Sequence, residues 1–175
     1  MKKRGQLIGM PIVYIMIAVV MGLVLFFGFD SLSKVMRAKE ITEVSKFVLD
    51  LEDEVEVMYG YDIGSAKKFS SRALNKKISY VCFFNSLKPI NLQPFEIDNY
   101  DEELGYYLGI SSKDNLYILP IGIYPSPYPD YYINHFKIED SNDNPTCFAN
   151  GDRGVEFVLK TYLENNQIYV GADEI

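Results

Sequence analysis

Chemically versatile side chains are scarce in this sequence. Its 175 residues include one histidine, His135, and two cysteines, Cys82 and Cys147. Zinc sites need clusters of His and Cys, and this chain lacks them. There is no Cys-x-x-Cys pair, no Gly-x-Ser-x-Gly elbow and no glycine-rich phosphate loop. A nucleophile–base pair would require Cys82 or Cys147 beside His135, and a strand histidine with a satisfied ring is the simpler account. No Asn-x-Ser/Thr glycan acceptor occurs, because Pro145 disqualifies Asn144-Pro145-Thr146. No repeat with a period of about 20–50 residues is visible. The expectation is a protein without catalytic residues, metal or cofactor.

Acidic residues are missing from the first 29 positions, which hold Lys2, Lys3 and Arg4 but none of the 24 Asp and Glu. From Leu7 to Phe29 there is no charge of either sign over 23 residues. At about 1.5 Å per helical residue such a run crosses a hydrocarbon core of about 30 Å. A cleaved secretory signal has an apolar core of about 7–15 residues and a small-residue cleavage site. Here the run is longer and ends in Phe26-Phe27-Gly28-Phe29, so a retained anchor in membrane lipid is expected. No cysteine directly follows, which excludes lipid attachment at that point. Pro11 falls near the helix start, where a missing N–H costs little. Lys34, Arg37 and Lys39 on the far flank leave a small cationic bias toward the N-terminal side. The expected topology is single-pass, with the N-terminus cytoplasmic and residues 30–175 extracytoplasmic.

The basic cluster, then Gly5-Gln6, then an apolar helix resembles the class III signal sequence of archaeal type IV pilin-like proteins. The likeness covers about the first 29 residues and, more loosely, the plan of a long helix followed by a β-rich head. In that family a membrane peptidase cuts between the Gly and the Gln. Carried over, Gly5 and Gln6 are the processing residues, and the helix begins the mature chain as an anchor or as the packed core of a surface filament. The resemblance implies a surface protein whose partners are other pilin-like subunits and the processing peptidase. One departure matters. Filament-forming members usually carry Glu at the fifth mature position, where it registers neighbouring subunits; Met10 stands there, followed by Pro11. That weighs against the usual filament register more than against membrane insertion.

Past the anchor the chain changes character twice. Residues 30–60 read as an amphipathic stem helix. From Val44 apolar residues step by 4, 3, 4 and 3 through Val48, Leu51, Val55 and Met58. Glu43, Lys46, Asp50, Glu52, Asp53, Glu54 and Glu56 occupy the opposite face. The stripe spans only about two heptads, so packing on the protein's own sheet is expected over a coiled-coil seam. Gly60 and Gly64 end the helix. Residues 61–175 form the third region, a β-rich head. Its expected strands are Ala66–Leu74, a central Ile78–Phe84, Leu104–Ile110 with Leu116–Leu119 as a hairpin, Ile133–Ile138, and a closing hairpin of Val155–Tyr162 with Gln167–Val170 around Glu164-Asn165-Asn166. Residues 85–99 and 139–153 read as loops. The segments are thus 1–6 basic and signal-like, 7–29 transmembrane, 30–60 stem and 61–175 head, giving an α+β fold with an antiparallel sheet.

Two head features could carry chemistry. Tyr124, Tyr128, Tyr131 and Tyr132 cluster with Pro125, Pro127 and Pro129. Tyrosines on a loop give contact area with a polar tip, so they are candidate partner-binding residues, with packing of the loop on the sheet through its own rings as the alternative. Asp140-Ser141-Asn142-Asp143-Asn144 imitates the start of a calcium loop, but Pro145 replaces its glycine and Gly151 stands where its bidentate glutamate belongs, so an ion-free Asx turn is expected. In an exported head, Cys82 and Cys147 form a disulfide or remain two buried thiols. Residues 30–175 carry 14 basic against 24 acidic residues, so nucleic acid is not an expected partner. The functional expectation is a pilin-like structural or adhesive surface protein, with a filament subunit as one form of that role. The alternatives are an accessory subunit binding an envelope or membrane-complex partner and, further off, an extracytoplasmic hydrolase.

Overall fold

The computed structural model describes residues 9–72, 74–91, 105, 108, 114–120, 131–138 and 144–175. Helix α1 runs without a break over Gly9–Tyr59, 51 residues in all. Apolar run and stem are therefore one helix. Polar groups at the change of character bond back to the helix itself: the Ser33 hydroxyl donates to the Phe29 carbonyl at 3.0 Å, and Thr42 donates to Ala38 at 2.8 Å. Lys34 and Asp30 pair one turn apart at 2.7 Å.

The chain forms two compact units that divide between Thr42 and Glu43. In the first, every side chain described from Ile12 to Phe29 is exposed, large apolar ones such as Phe26 and Phe29 included. Side chains of this kind on a charge-free helix suit lipid and not water. This is the one helix among the described residues that is long and apolar enough to cross a membrane.

The second unit contains the end of α1 and six antiparallel strands. They are β1 (Ala66–Ser70), β2 (Tyr80–Phe83), β3 (Leu116–Leu119), β4 (Thr146–Ala149), β5 (Glu156–Glu164) and β6 (Gln167–Asp173). They form two three-stranded sheets, ordered β1-β5-β6 and β3-β2-β4. The α+β layout of a long N-terminal helix followed by antiparallel sheets is what the sequence predicts. So is the packing of the stem. Val44, Val48, Leu51, Val55 and Met58 are all buried, and they share one cluster with Phe69, Phe83, Phe148 and Phe157 from both sheets. Phe47, off the expected stripe, is buried too and meets Phe69 edge-on with ring centres 6.0 Å apart.

The central β2 sits between two apolar clusters. Val81 and Phe83 belong to the main core, while Cys82 and Phe84 join Leu108, Tyr117 and Leu119 on the other face. Burial on both faces explains why this strand reads as a continuous apolar run instead of an alternating one. The β5–β6 hairpin turns at Asn165 and Asn166, both with positive φ (51° and 64°), the conformation that a two-residue turn of this kind requires and that Asn tolerates. Gly64, with φ 86°, closes the turn after α1 and donates its N–H to Thr161 at 2.9 Å.

Three sequence expectations need correction. Strand β4 lies inside the stretch expected to be turns. Ile133–Ile138 is irregular: its Ile133 N–H and carbonyl bond to the Asn115 side chain, and only Phe136 makes an isolated parallel bridge, to Val170. Strand β3 pairs with β2 through Tyr80↔Leu119; the hairpin expected between β3 and Leu104–Ile110 falls on a segment of which only Gly105 and Leu108 are among the described residues. Strand β1 stops at Ser70, short of Leu74.

Candidate partner-binding surface

Cys82 and Cys147 face each other across β2 and β4 and are joined by a disulfide. Both sulfurs sit with the second apolar cluster. The bond leaves no thiol to act as a nucleophile, so the pairing of a cysteine with His135 is excluded. His135 has another role. It adopts φ 59°, and its ring stacks on Tyr59, the last residue of α1, with centroids 3.8 Å apart. The Asn134 side chain contacts its Nε2 at 3.1 Å.

Of the four tyrosines expected to bind a partner, Tyr124 and Tyr128 lie outside the described residues. Tyr131 and Tyr132 divide the work of a loop end. Tyr131 is half-buried against the main core, and its carbonyl accepts the N–H groups of Asn115 and Leu116 at 3.2 and 3.1 Å. Burial raises the Tyr131 phenol above its ordinary pKa. Tyr132 points out and is 58 % exposed. The contact-capable ring of this pair is Tyr132; Tyr131 fixes the chain from which it projects.

Three asparagines, Asn115, Asn144 and Asn150, pin the loops. Asn115 is buried, donates to the Ile133 and Phe136 carbonyls at 2.7 and 3.2 Å, and accepts from the Ile133 N–H at 2.7 Å. Asn144 accepts the Asn85 N–H at 2.9 Å and donates to carbonyls of Asn85, Lys88 and Pro89. Its amide is thus committed to the chain and turned away from any calcium role; Asp140, Asn142 and Asp143 lie outside the described residues. Asn150 does the same for the β1–β2 connection, donating to Ile78 at 3.0 Å and accepting from Leu74 at 3.3 Å. The signal that could have found them is position: each lies at or within a residue or two of a strand end, where main-chain groups leave the ladder and need side-chain partners. Among the described residues no cluster of three or more His, Cys, Asp or Glu is placed to hold a metal ion.

The two lysines of β1 are neutralised locally. Lys67 pairs with Glu54 of α1 at 2.5 Å, and Lys68 pairs with Glu156 at 2.9 Å. The bond to Glu54 raises the Lys67 pKa, and the bond from Lys68 holds Glu156 below the usual carboxylate value. These exposed pairs contribute little stability each. Lys137 lies 3.6 Å over the Tyr169 ring and 3.7 Å from Glu164, a cation between a ring and a carboxylate. Comparison with known protein families, with curated proteins and with solved structures finds no match to this chain.

Proposed function

We propose that the chain is a membrane-anchored, pilin-like surface protein with a structural or adhesive role and no catalysis. The observation that carries this reading is the continuity of α1. A charge-free run preceded by Lys2-Lys3-Arg4-Gly5-Gln6 leads without interruption into a helix whose later turns form the core of a disulfide-bonded β-rich unit. An anchor, a stem and a head in one chain serve display at a surface. The disulfide supports placing residues 30–175 outside the cytoplasm, where such bonds persist. Exposed Tyr132 is a contact residue of the head.

The test is the mass of the N-terminal peptide from protein purified from its own membranes. A mature chain beginning at Gln6 supports the pilin-like assignment. An intact Met1 or Lys2 contradicts it. Met10, at the place of the usual filament glutamate, favours one second reading: a single-pass accessory subunit whose head binds an envelope or membrane-complex partner. Surface filaments that vanish when the protein is deleted would decide against that reading.

A further inference from the structure

Among the described residues four strand edges terminate the two sheets, and the protein treats them differently. The outer edge of β6 is occupied by the segment after His135: Lys137 donates to the Val170 carbonyl, and Val170 donates to the His135 carbonyl, both at 2.9 Å. The outer edge of β3 is met by Tyr131. Strand β4 presents Cys147 and Ala149 outward. Strand β1 presents more. Thr161 N–H bonds to Ser65 and Ser71 N–H bonds to Val155, so Ser65, Lys67, Phe69 and Ser71 turn their main chains toward β5. The N–H and C=O groups of Ala66, Lys68 and Ser70 therefore point outward. Among the described residues nothing pairs with them.

That edge borders a groove of about 770 Å³ between β1 and the flank of α1. Phe47 and Phe69 contribute apolar surface. The α1 wall carries Glu43, Asp50, Asp53 and Glu54 against Lys46, and the β1 side adds Arg72 and Lys68, the latter paired with Glu156. Lys67 engages Glu54, whereas Asp50 and Asp53 are exposed along the groove. Side chains alternate across a strand. Lys67 and Phe69 face α1, while Lys68 and Ser70 lie on the other face and bond Glu156. A strand added to this edge would repeat that alternation, and every second side chain would face the acidic wall.

We propose that the β1 edge is a strand-addition site for an extended segment of a partner protein with lysine or arginine at alternate positions. Main-chain bonds to Ala66, Lys68 and Ser70 would seat the segment, and the carboxylates of Asp50 and Asp53 would select its basic face. The proposal uses only residues of the second unit and does not depend on how the N-terminus is processed.

The test uses the full chain in detergent micelles and the peptide acetyl-Thr-Lys-Thr-Lys-Thr-Lys-Thr-amide. The same peptide with Glu for Lys is the control. At saturation the Lys peptide slows deuterium exchange at the Lys68 and Ser70 amides by at least about tenfold, as expected for exposed amides entering a ladder, and the Glu peptide does not. Lys68→Pro removes an outward donor and no main-chain bond to β5, and the exposed Lys68–Glu156 pair it also removes contributes little, so it keeps the fold and weakens binding about fivefold. Ser70→Pro does the same, in case one proline disturbs the strand. The double change of Asp50→Asn with Asp53→Asn lowers the preference for Lys over Glu about fivefold and reduces its dependence on salt. Unchanged exchange at millimolar Lys peptide, equal binding of the two peptides, or indifference to both prolines would overturn the proposal. So would protection of these amides without peptide that grows with protein concentration, which would place a second copy of the chain on the edge.

Discussion

Leu49 and Leu51 stand two residues apart on α1 and should answer very differently to truncation. Leu51 is fully buried in the cluster that joins α1 to both sheets, whereas Leu49 is 59 % exposed. Leu51→Ala removes buried methyl groups and leaves a cavity, at a cost of about 2–5 kcal/mol. Leu49→Ala stays within about 0.5 kcal/mol of the parent. For a unit of this size each kcal/mol moves the thermal midpoint by about 3–5 °C, so Leu51→Ala lowers it by about 10 °C and Leu49→Ala by less than 2 °C. The assay is unfolding of the full chain in detergent micelles, followed by near-ultraviolet circular dichroism of the tyrosines. In denaturant the Leu51→Ala midpoint falls with the slope unchanged. Equal effects of the two changes, or a Leu51→Ala loss that disappears at high protein concentration, would refute the reasoning. The stripe would then be a seam between subunits and not this chain's own core.

Three further outcomes follow from particular bonds. The disulfide links residues 65 apart, so replacing Cys82 and Cys147 together by Ser lowers stability by about 4 kcal/mol, read from denaturant midpoints with and without reductant. Asn115→Leu strips partners from the Ile133 N–H and from two buried carbonyls, a loss of about 3 kcal/mol that proteolysis should report as faster cleavage near residues 131–138. Glu156 is held below its ordinary 4.5 by the bond from Lys68, so its contribution is complete above that value and is lost as pH falls through the depressed one. Glu156→Gln should lower stability slightly at neutral pH and leave it unchanged at low pH, so that the acid limb of a stability–pH curve flattens. Lys67 behaves oppositely: raised by Glu54, its contribution holds below 10.5 and disappears as pH climbs past its raised value.

The helix and its packing were legible because their cause is local. A charge-free run and a 4-3-4-3 stripe use the helical period directly, and every residue from Val44 to Met58 on that stripe is buried. The closing hairpin was legible through Asn165-Asn166, whose backbone tolerance sets the turn. Strand β4 was hidden because its four residues, between Pro145 and Asn150 in a turn-rich stretch, are too few to show alternation; pairing with β2 and the Cys147 bond make it a strand. Ile133–Ile138 misled for the reverse reason. Ile133, Phe136 and Ile138 are buried as strand residues would be, but Asn115 takes up the main chain of the first two, Asn85 and Lys88 donate to the Ile138 carbonyl, and His135 turns through positive φ. The cysteines left two states open, because spacing in sequence does not say which strands become neighbours. The open edge of β1 was unreadable for the same reason: an edge exists only once strand order is known.

The central claim is that one helix leaves a bilayer and enters a head displayed on the other side. Both native cysteines are bonded, so a single introduced thiol reports its own surroundings. Ser86, exposed in the head, and Val20, inside the charge-free run, are the positions to use. On intact cells a membrane-impermeant maleimide should label the Ser86→Cys protein and leave the Val20→Cys protein unmodified until detergent is added. Labelling of Ser86→Cys only after lysis, or direct labelling of Val20→Cys, would contradict the account.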